Sequence, residues 1–187
     1  MKYLLLLLIS TQAFPCGTER WNVKVGSDAD ASRINLSNIV SITVGAMGLF
    51  PKPAKMPANN RVAPYELTVY EVSAQITRIA KENDGDFHLV LTSNGSTMIA
   101  EVPELDCVSS SSPLYSGIAS AANTLDGIIN SGMAMPVAVI IRGVGFFDFP
   151  HGQTGKAPNY IELHPVIGIN VGTQIHLKDV NLKKVLK

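Results

Sequence analysis

From Glu66 onward the chain alternates apolar and polar residues in three successive runs, and a two-residue period is the mark of half-buried β-strands. ELTVYEVSAQITRIA places Leu67 and Val69 on one face, then shifts phase to Tyr70, Val72, Ala74 and Ile76. A phase shift inside one long strand predicts a β-bulge that bends it around a barrel. KENDGD (81–86) reads as a turn, and FHLVLT follows with Phe87, Leu89 and Leu91 on one face and His88 on the other. Asn94-Gly95 is the strongest two-residue hairpin signal, and it leads into a third strand with Met98, Ala100 and Val102 opposite Glu101.

The period then changes. Ser112 followed by Pro113 reads as an N-cap and a first helical position. Leu114, Ile118, Ala121, Leu125 and Ile128 recur at helical spacing until Gly132, which predicts an amphipathic helix over 112–131. A long apolar strand, PVAVIIRGVGFFDF, carries two glycines where a bend fits, and YIELHPVIGI makes the last strand. The order strand, strand, strand, helix, strand, strand predicts a mainly β fold with one helix, a five-stranded OB-type barrel. A sandwich of the same strands is the competing arrangement, and it leaves the single helix unexplained.

Ahead of the barrel lies an N-terminal extension. Trp21, Val23 and Val25 alternate as a short strand would, and Leu36 to Met47 reads as helical in part. Asp28-x-Asp30 hints at a calcium loop but lacks the glycine and distal glutamate that loop requires, so it reads as a turn with capping acids. PKPAKMPANN, with three prolines in ten residues, reads as an extended surface linker.

The chain opens on one lysine and a leucine run too short to span a bilayer, as a secretory signal does. Thr11 and Ala13 have the −3 and −1 spacing of a cleavage site after Ala13. The expected organisation is a signal peptide at 1–13, an extension and linker at 14–60, an OB-like domain at 61–172 and a basic tail at 173–187. No transmembrane segment remains once the signal is removed. The expected location is secreted or periplasmic, and a lipid anchor at Cys16 is the alternative address. Two cysteines, Cys16 and Cys107, predict one disulfide in an oxidising compartment. Loss of Lys2 leaves 14 basic against 15 acidic side chains, a formal charge of −1. That balance disfavours long nucleic acid, which needs a clustered positive field.

Chemistry concentrates in two stretches about 65 residues apart. The first, KENDGDFH, supplies Glu82, Asp84, Asp86 and His88. The second places Asp148, His151, Gln153, Lys156, Asn159, Glu162 and His164 within 17 residues. OB barrels frame their ligand face with the loop between strands one and two and the loop between strands four and five. The fold therefore brings both stretches to one rim. Glu162 and His164 are two apart and point the same way in a strand.

Two uses follow. As a binding module, the loops clasp a small ligand, a glycan or a short nucleic acid, with Phe146, Phe147 and Phe149 as stacking surfaces unless they are core. As an enzyme, Asp86, His88, Glu162 and His164 hold a divalent metal, Zn²⁺, Mn²⁺ or Ca²⁺, that activates water for phosphodiester or related ester hydrolysis. His151, His164 and Glu162 are then the catalytic candidates, with Lys156 or Arg142 steadying charge. The competing account makes KENDGD a plain turn, lets Asp148 and Asn159 cap turns, and pairs Glu162 with Arg78 or Arg142.

ENDGDFH, EVPELDC and above all GVGFFDFPHGQTGKAPNYIELHPV resemble a family of exported bacterial single-domain proteins of unassigned function. The resemblance runs from about Arg20 to Val171 and implies export without implying an activity. Asp84-Gly85-Asp86 also resembles the start of strand two in thermonuclease-type OB-fold enzymes. Those enzymes place an arginine on strand three, where this chain has Glu101. Losing that arginine removes a main stabiliser of transition-state charge.

Overall fold

The computed structural model describes residues 16–150 and 152–172. The expected signal peptide, His151 and the expected basic tail lie outside the described residues.

Six strands form one sheet: β1 (Ile39–Ser41), β2 (Val69–Lys81), β3 (Phe87–Ser93), β4 (Ser96–Val102), β5 (Val137–Phe147) and β6 (Ile161–Val171). Their order is β1-β2-β3-β4-β6-β5, and β2 also pairs with β5, which closes strands β2 to β6 into a barrel. All ladders are antiparallel except β1–β2 and β4–β6. This is the OB arrangement, with helix α3 (Tyr115–Asn130) between the third and fourth barrel strands.

The interior follows the alternation. Tyr70, Val72, Ala74 and Ile76 from β2 meet Leu89 and Leu91 from β3 and Met98, Ala100 and Val102 from β4. The stripe Leu114, Ile118, Ala121, Leu125 and Ile128 is buried throughout. A smaller core of Val25, Ile34, Val69, Val108, Leu114, Ile118 and Val144 lies beneath the N-terminal segment.

Three local expectations shift. The helix starts at Tyr115, not at Ser112. The Ser112 hydroxyl donates to the Val25 carbonyl at 2.9 Å and accepts from the Leu114 amide at 3.2 Å, so it caps the preceding turn and ties it to the N-terminal segment. The bulge in β2 falls between Ile76 and Arg78 rather than at Val69. Val69 and Tyr70 are both buried because they face different cores. Trp21 to Lys24 forms one helical turn, α1, instead of a strand, and only Val44–Met47 (α2) of the 36–47 stretch is helical, following β1.

Turn chemistry matches the sequence at the hairpin, where Asn94 and Gly95 take φ of 48° and 77° and join Ser93 to Ser96. The bend in β5 sits at its glycines, where the β5–β6 register shifts between Arg142 and Gly145. A Cβ on Gly145 would lie 2.5 Å from the Tyr65 carbonyl oxygen, so only glycine admits that chain crossing.

Candidate functional site

Residues 16–25 fold over the outer face of β3, β4, β6 and the end of β5, held there by the Cys16–Cys107 disulfide. That bond occupies the sulfur a lipid anchor would use. A second tie is the Arg20–Glu66 ion pair at 2.7 Å, with both side chains buried. Arg20 also donates to the Phe147 carbonyl at 2.8 Å and stacks 4.6 Å from the Phe146 ring centroid.

Beneath this cover the outward-facing strand positions carry polar side chains. His88 on β3 pairs in register with Glu101 on β4, and Glu162 on β6 pairs with Phe146 on β5. Glu101 lies between two imidazoles: its Oε1 is 3.3 Å from His88 Nδ1, and its Oε2 is 2.8 Å from His164 Nδ1. The far nitrogen of His164, Nε2, lies 3.6 Å from Asp86 Oδ2, and Glu82 Oε1 reaches His88 Nδ1 at 3.3 Å. The two chemically rich stretches thus meet at Asp86 and His164. Two triads result, Glu82–His88–Glu101 and Asp86–Glu101–His164, each with its ligand atoms within 4.8 Å of one another.

Glu162 belongs to neither triad. It is fully buried beside them, its Oε2 has no hydrogen-bond partner, and it pairs with neither arginine expected of it. Arg142 instead holds Glu71 at 2.6 Å.

Electrostatics separate the carboxylates. Burial pushes Asp86 up to about 7 and lifts Glu162 well above its ordinary value. Burial alone would raise Glu101 too, but the imidazoles and Lys24 hold it below its ordinary range, so Glu101 stays ionised. Burial drives His164 down against the pull of Glu101. Lys24, which the sequence reading missed, sits among Glu101, Asp148, Glu162 and Asp86; burial would lower it, yet those carboxylates raise it. It is 9% exposed and carries its charge under the N-terminal cover.

Asp86 supplies a pH prediction. A carboxyl that titrates higher in the fold stabilises it at low pH, and that stability is lost as pH rises through the folded value. In the presence of EDTA, the melting temperature of the wild type is expected to fall relative to Asp86→Asn as pH rises from about 4 to about 7, the interval between the unfolded and folded values, and to level off above it. A pH-independent difference between the two melting curves would contradict this.

A cavity of about 370 Å³ opens above Glu101, lined by Cys16, Gly17, Thr18, Glu19, Lys24, Glu82, Asn83, Asp84 and Gln153. Asp84 accepts the Asp86 amide at 3.2 Å, and the Gln153 amide donates to Asp148 at 3.1 Å. Two expected ligand residues stand elsewhere. The Asn159 amide donates to the Met47 and Phe50 carbonyls, each at 2.9 Å, and so joins α2 to the last loop. Lys156 lies over the Tyr160 ring in a separate depression beside Leu49.

Phe146 and Phe147 are both fully buried, which removes them as stacking platforms, and Phe149 is half-buried. Asp28, read as a turn acid, is instead half of a buried pair with Arg61 at 2.6 Å.

No protein-family model and no curated protein matches the chain. Among solved structures it is similar to a protein of Leishmania major Friedlin described as an aspartyl-tRNA synthetase, at 15% identity over 73% of this chain and 21% of that one, with a TM-score of 0.46. It is also similar to an OBody bound to hen egg-white lysozyme (8% identity, 57% and 82% covered, TM-score 0.37). A third similarity is to the asparaginyl-tRNA synthetase of Entamoeba histolytica (9% identity, 64% and 23% covered, TM-score 0.36). The chain spans about a fifth of the length of the Leishmania protein. The strand order β2-β3-β4-β6-β5, closed by the β2–β5 pairing, is what makes the fold OB-type.

Proposed function

We propose that the chain is an exported OB-type binding module that takes a small hydroxyl- or amine-bearing ligand, such as a glycan fragment or a polyamine. The observation that carries this reading is the cavity of about 370 Å³ between the 82–86 turn, Gln153 and the N-terminal cover. Its size suits a small molecule. Its place, beside the outer face of the second and third barrel strands, is where OB folds bind ligands. Its lining, with Glu19, Glu82, Asp84 and Glu101 against the single cation Lys24, repels phosphates and favours hydroxyls or amines. Burial of Phe146 and Phe147 also argues against single-stranded nucleic acid, which binds by stacking on exposed rings.

Export is supported by the leader-like opening, by the resemblance of the 144–166 block to exported bacterial proteins, and by a disulfide that suits an oxidising compartment. Among the described residues no helix is long and apolar enough to cross a membrane.

The test is an NMR titration of the oxidised protein with oligosaccharides, polyamines and short oligonucleotides. Saccharides or amines are expected to shift the backbone amides of Thr18, Asn83 and Gln153, with oligonucleotides silent. Shifts caused by oligonucleotides, or shifts confined to the Leu49–Tyr160 side, would overturn the reading. A second reading, metal-dependent hydrolysis of a phosphodiester or related ester, is favoured by the two triads and depends on a cation at Glu101 to activate water.

A further inference from the structure

We infer that the floor of this cavity binds a divalent transition-metal ion, Zn²⁺ or Mn²⁺, with Glu101 as the ligand shared between His88 and His164. The inference rests on taking this face as the binding site, and it names the cofactor that the site would hold.

His88 supplies the first argument. Its Nε2 lies 3.2 Å from the Thr154 carbonyl oxygen, which can only accept, so Nε2 carries the proton. In the neutral ring Nδ1 then presents a lone pair, and it presents it to Glu82 Oε1 and Glu101 Oε1, both at 3.3 Å. Three electron-rich atoms converge, and a proton on the ring or on a carboxyl, or a cation, has to lie between them. A single proton is shared between two oxygens only along bent bonds, whereas a cation serves all three atoms at once. Ligand atoms about 2.1 Å from a metal at near-tetrahedral or square angles stand roughly 3.0–3.4 Å apart, the spacing observed here. A ligating histidine whose other nitrogen donates to a backbone carbonyl is also the usual arrangement around protein-bound metals.

His164 supplies the second. It has no solvent exposure; Nδ1 meets Glu101 Oε2 at 2.8 Å, whereas Nε2 has no hydrogen bond and stands 3.6 Å from Asp86 Oδ2, itself a buried oxygen without a hydrogen-bond partner. Buried polar groups of this kind are costly to leave unpaired. A cation between Glu101 and His164 would satisfy them, with Asp86 as a further ligand or as the carboxylate that orients the ring. Mixed imidazole and carboxylate donors suit Zn²⁺ or Mn²⁺, whereas Ca²⁺ takes oxygen alone. Because the triads share one carboxylate, the cluster accommodates one ion or a bridged pair.

The test uses untagged, oxidised protein stripped with EDTA, titrated with Zn²⁺ and Mn²⁺ by calorimetry, with bound metal counted by mass spectrometry after dialysis. One or two equivalents are expected in the wild type. Glu101→Gln, which keeps the shape and removes the charge, is expected to weaken binding by about 100-fold or more, and Glu82→Gln by about tenfold. The Glu82 side chain is 45% exposed, so its substitution reports on binding without threatening the fold. No retained metal in the wild type, or wild-type affinity in Glu101→Gln, would overturn the inference. Metal binding without any saccharide or amine response would sink the ligand reading alone; the converse result would sink this inference alone.

Discussion

Glu66→Ala is expected to destabilise the protein by about 3–5 kcal/mol, the usual cost of leaving one member of a buried ion pair uncompensated. Glu66 has no exposure and accepts four hydrogen bonds: from Arg20 Nη1 at 2.8 Å, from Arg20 Nη2 at 2.7 Å, and from the amides of Val62 at 2.6 Å and Phe147 at 2.7 Å. Alanine would strand the Arg20 guanidinium and two amides together. Urea denaturation measures the loss, and a value below about 1 kcal/mol would show that the pair is not what holds this junction. Because desolvation offsets much of the attraction in a buried pair, the double replacement Arg20→Met with Glu66→Met is expected to recover a large part of the loss. The same pair joins the N-terminal segment to the end of β5. Glu66→Ala should therefore also open the cavity, visible as faster amide exchange at Thr18 and Lys24.

Replacing both Cys16 and Cys107 by serine is expected to cost about 4 kcal/mol. The bond spans a sequence separation of 91, and closing a loop of that length removes a large share of the unfolded chain's freedom. Comparison of thermal melts with and without a reductant gives the same quantity on the natural chain. An unchanged melting temperature would mean that the N-terminal segment is held by its contacts with Glu66, Ser112 and Arg61 without the disulfide. Cys16 lines the cavity and its neighbours form one wall, so the serine variant should also lose its response to any ligand bound there.

The strands, the hairpin and the helix were legible because their signals are local. Leu89 and Leu91, or Met98, Ala100 and Val102, declare by their spacing which side of a strand is buried, and Asn94-Gly95 declares its own turn. The disulfide was legible for a different reason: two cysteines leave one pairing. The meeting of Asp86 with His164 was accessible once the barrel order was read, since OB topology brings those loops to one rim.

Other features had no local signature. Glu101 was legible as an outward-facing residue, but not as the carboxylate lying between two imidazoles. Lys24 and Arg20 sit in a segment that read as an extension, yet Arg20 reaches residues 46 and 127 positions away. Phe146 and Phe147 face opposite sides of β5, and alternation predicts one of them exposed. Both are buried because Arg20 and Lys24 lie over Phe146 on the outer face. Periodicity records which side of its own element a residue occupies. What covers that side is decided by another element, and here the N-terminal segment, tied down by a disulfide, the Arg20–Glu66 pair and hydrogen bonds from Ser112 and Arg61, turns an outer barrel face into the floor of a cavity.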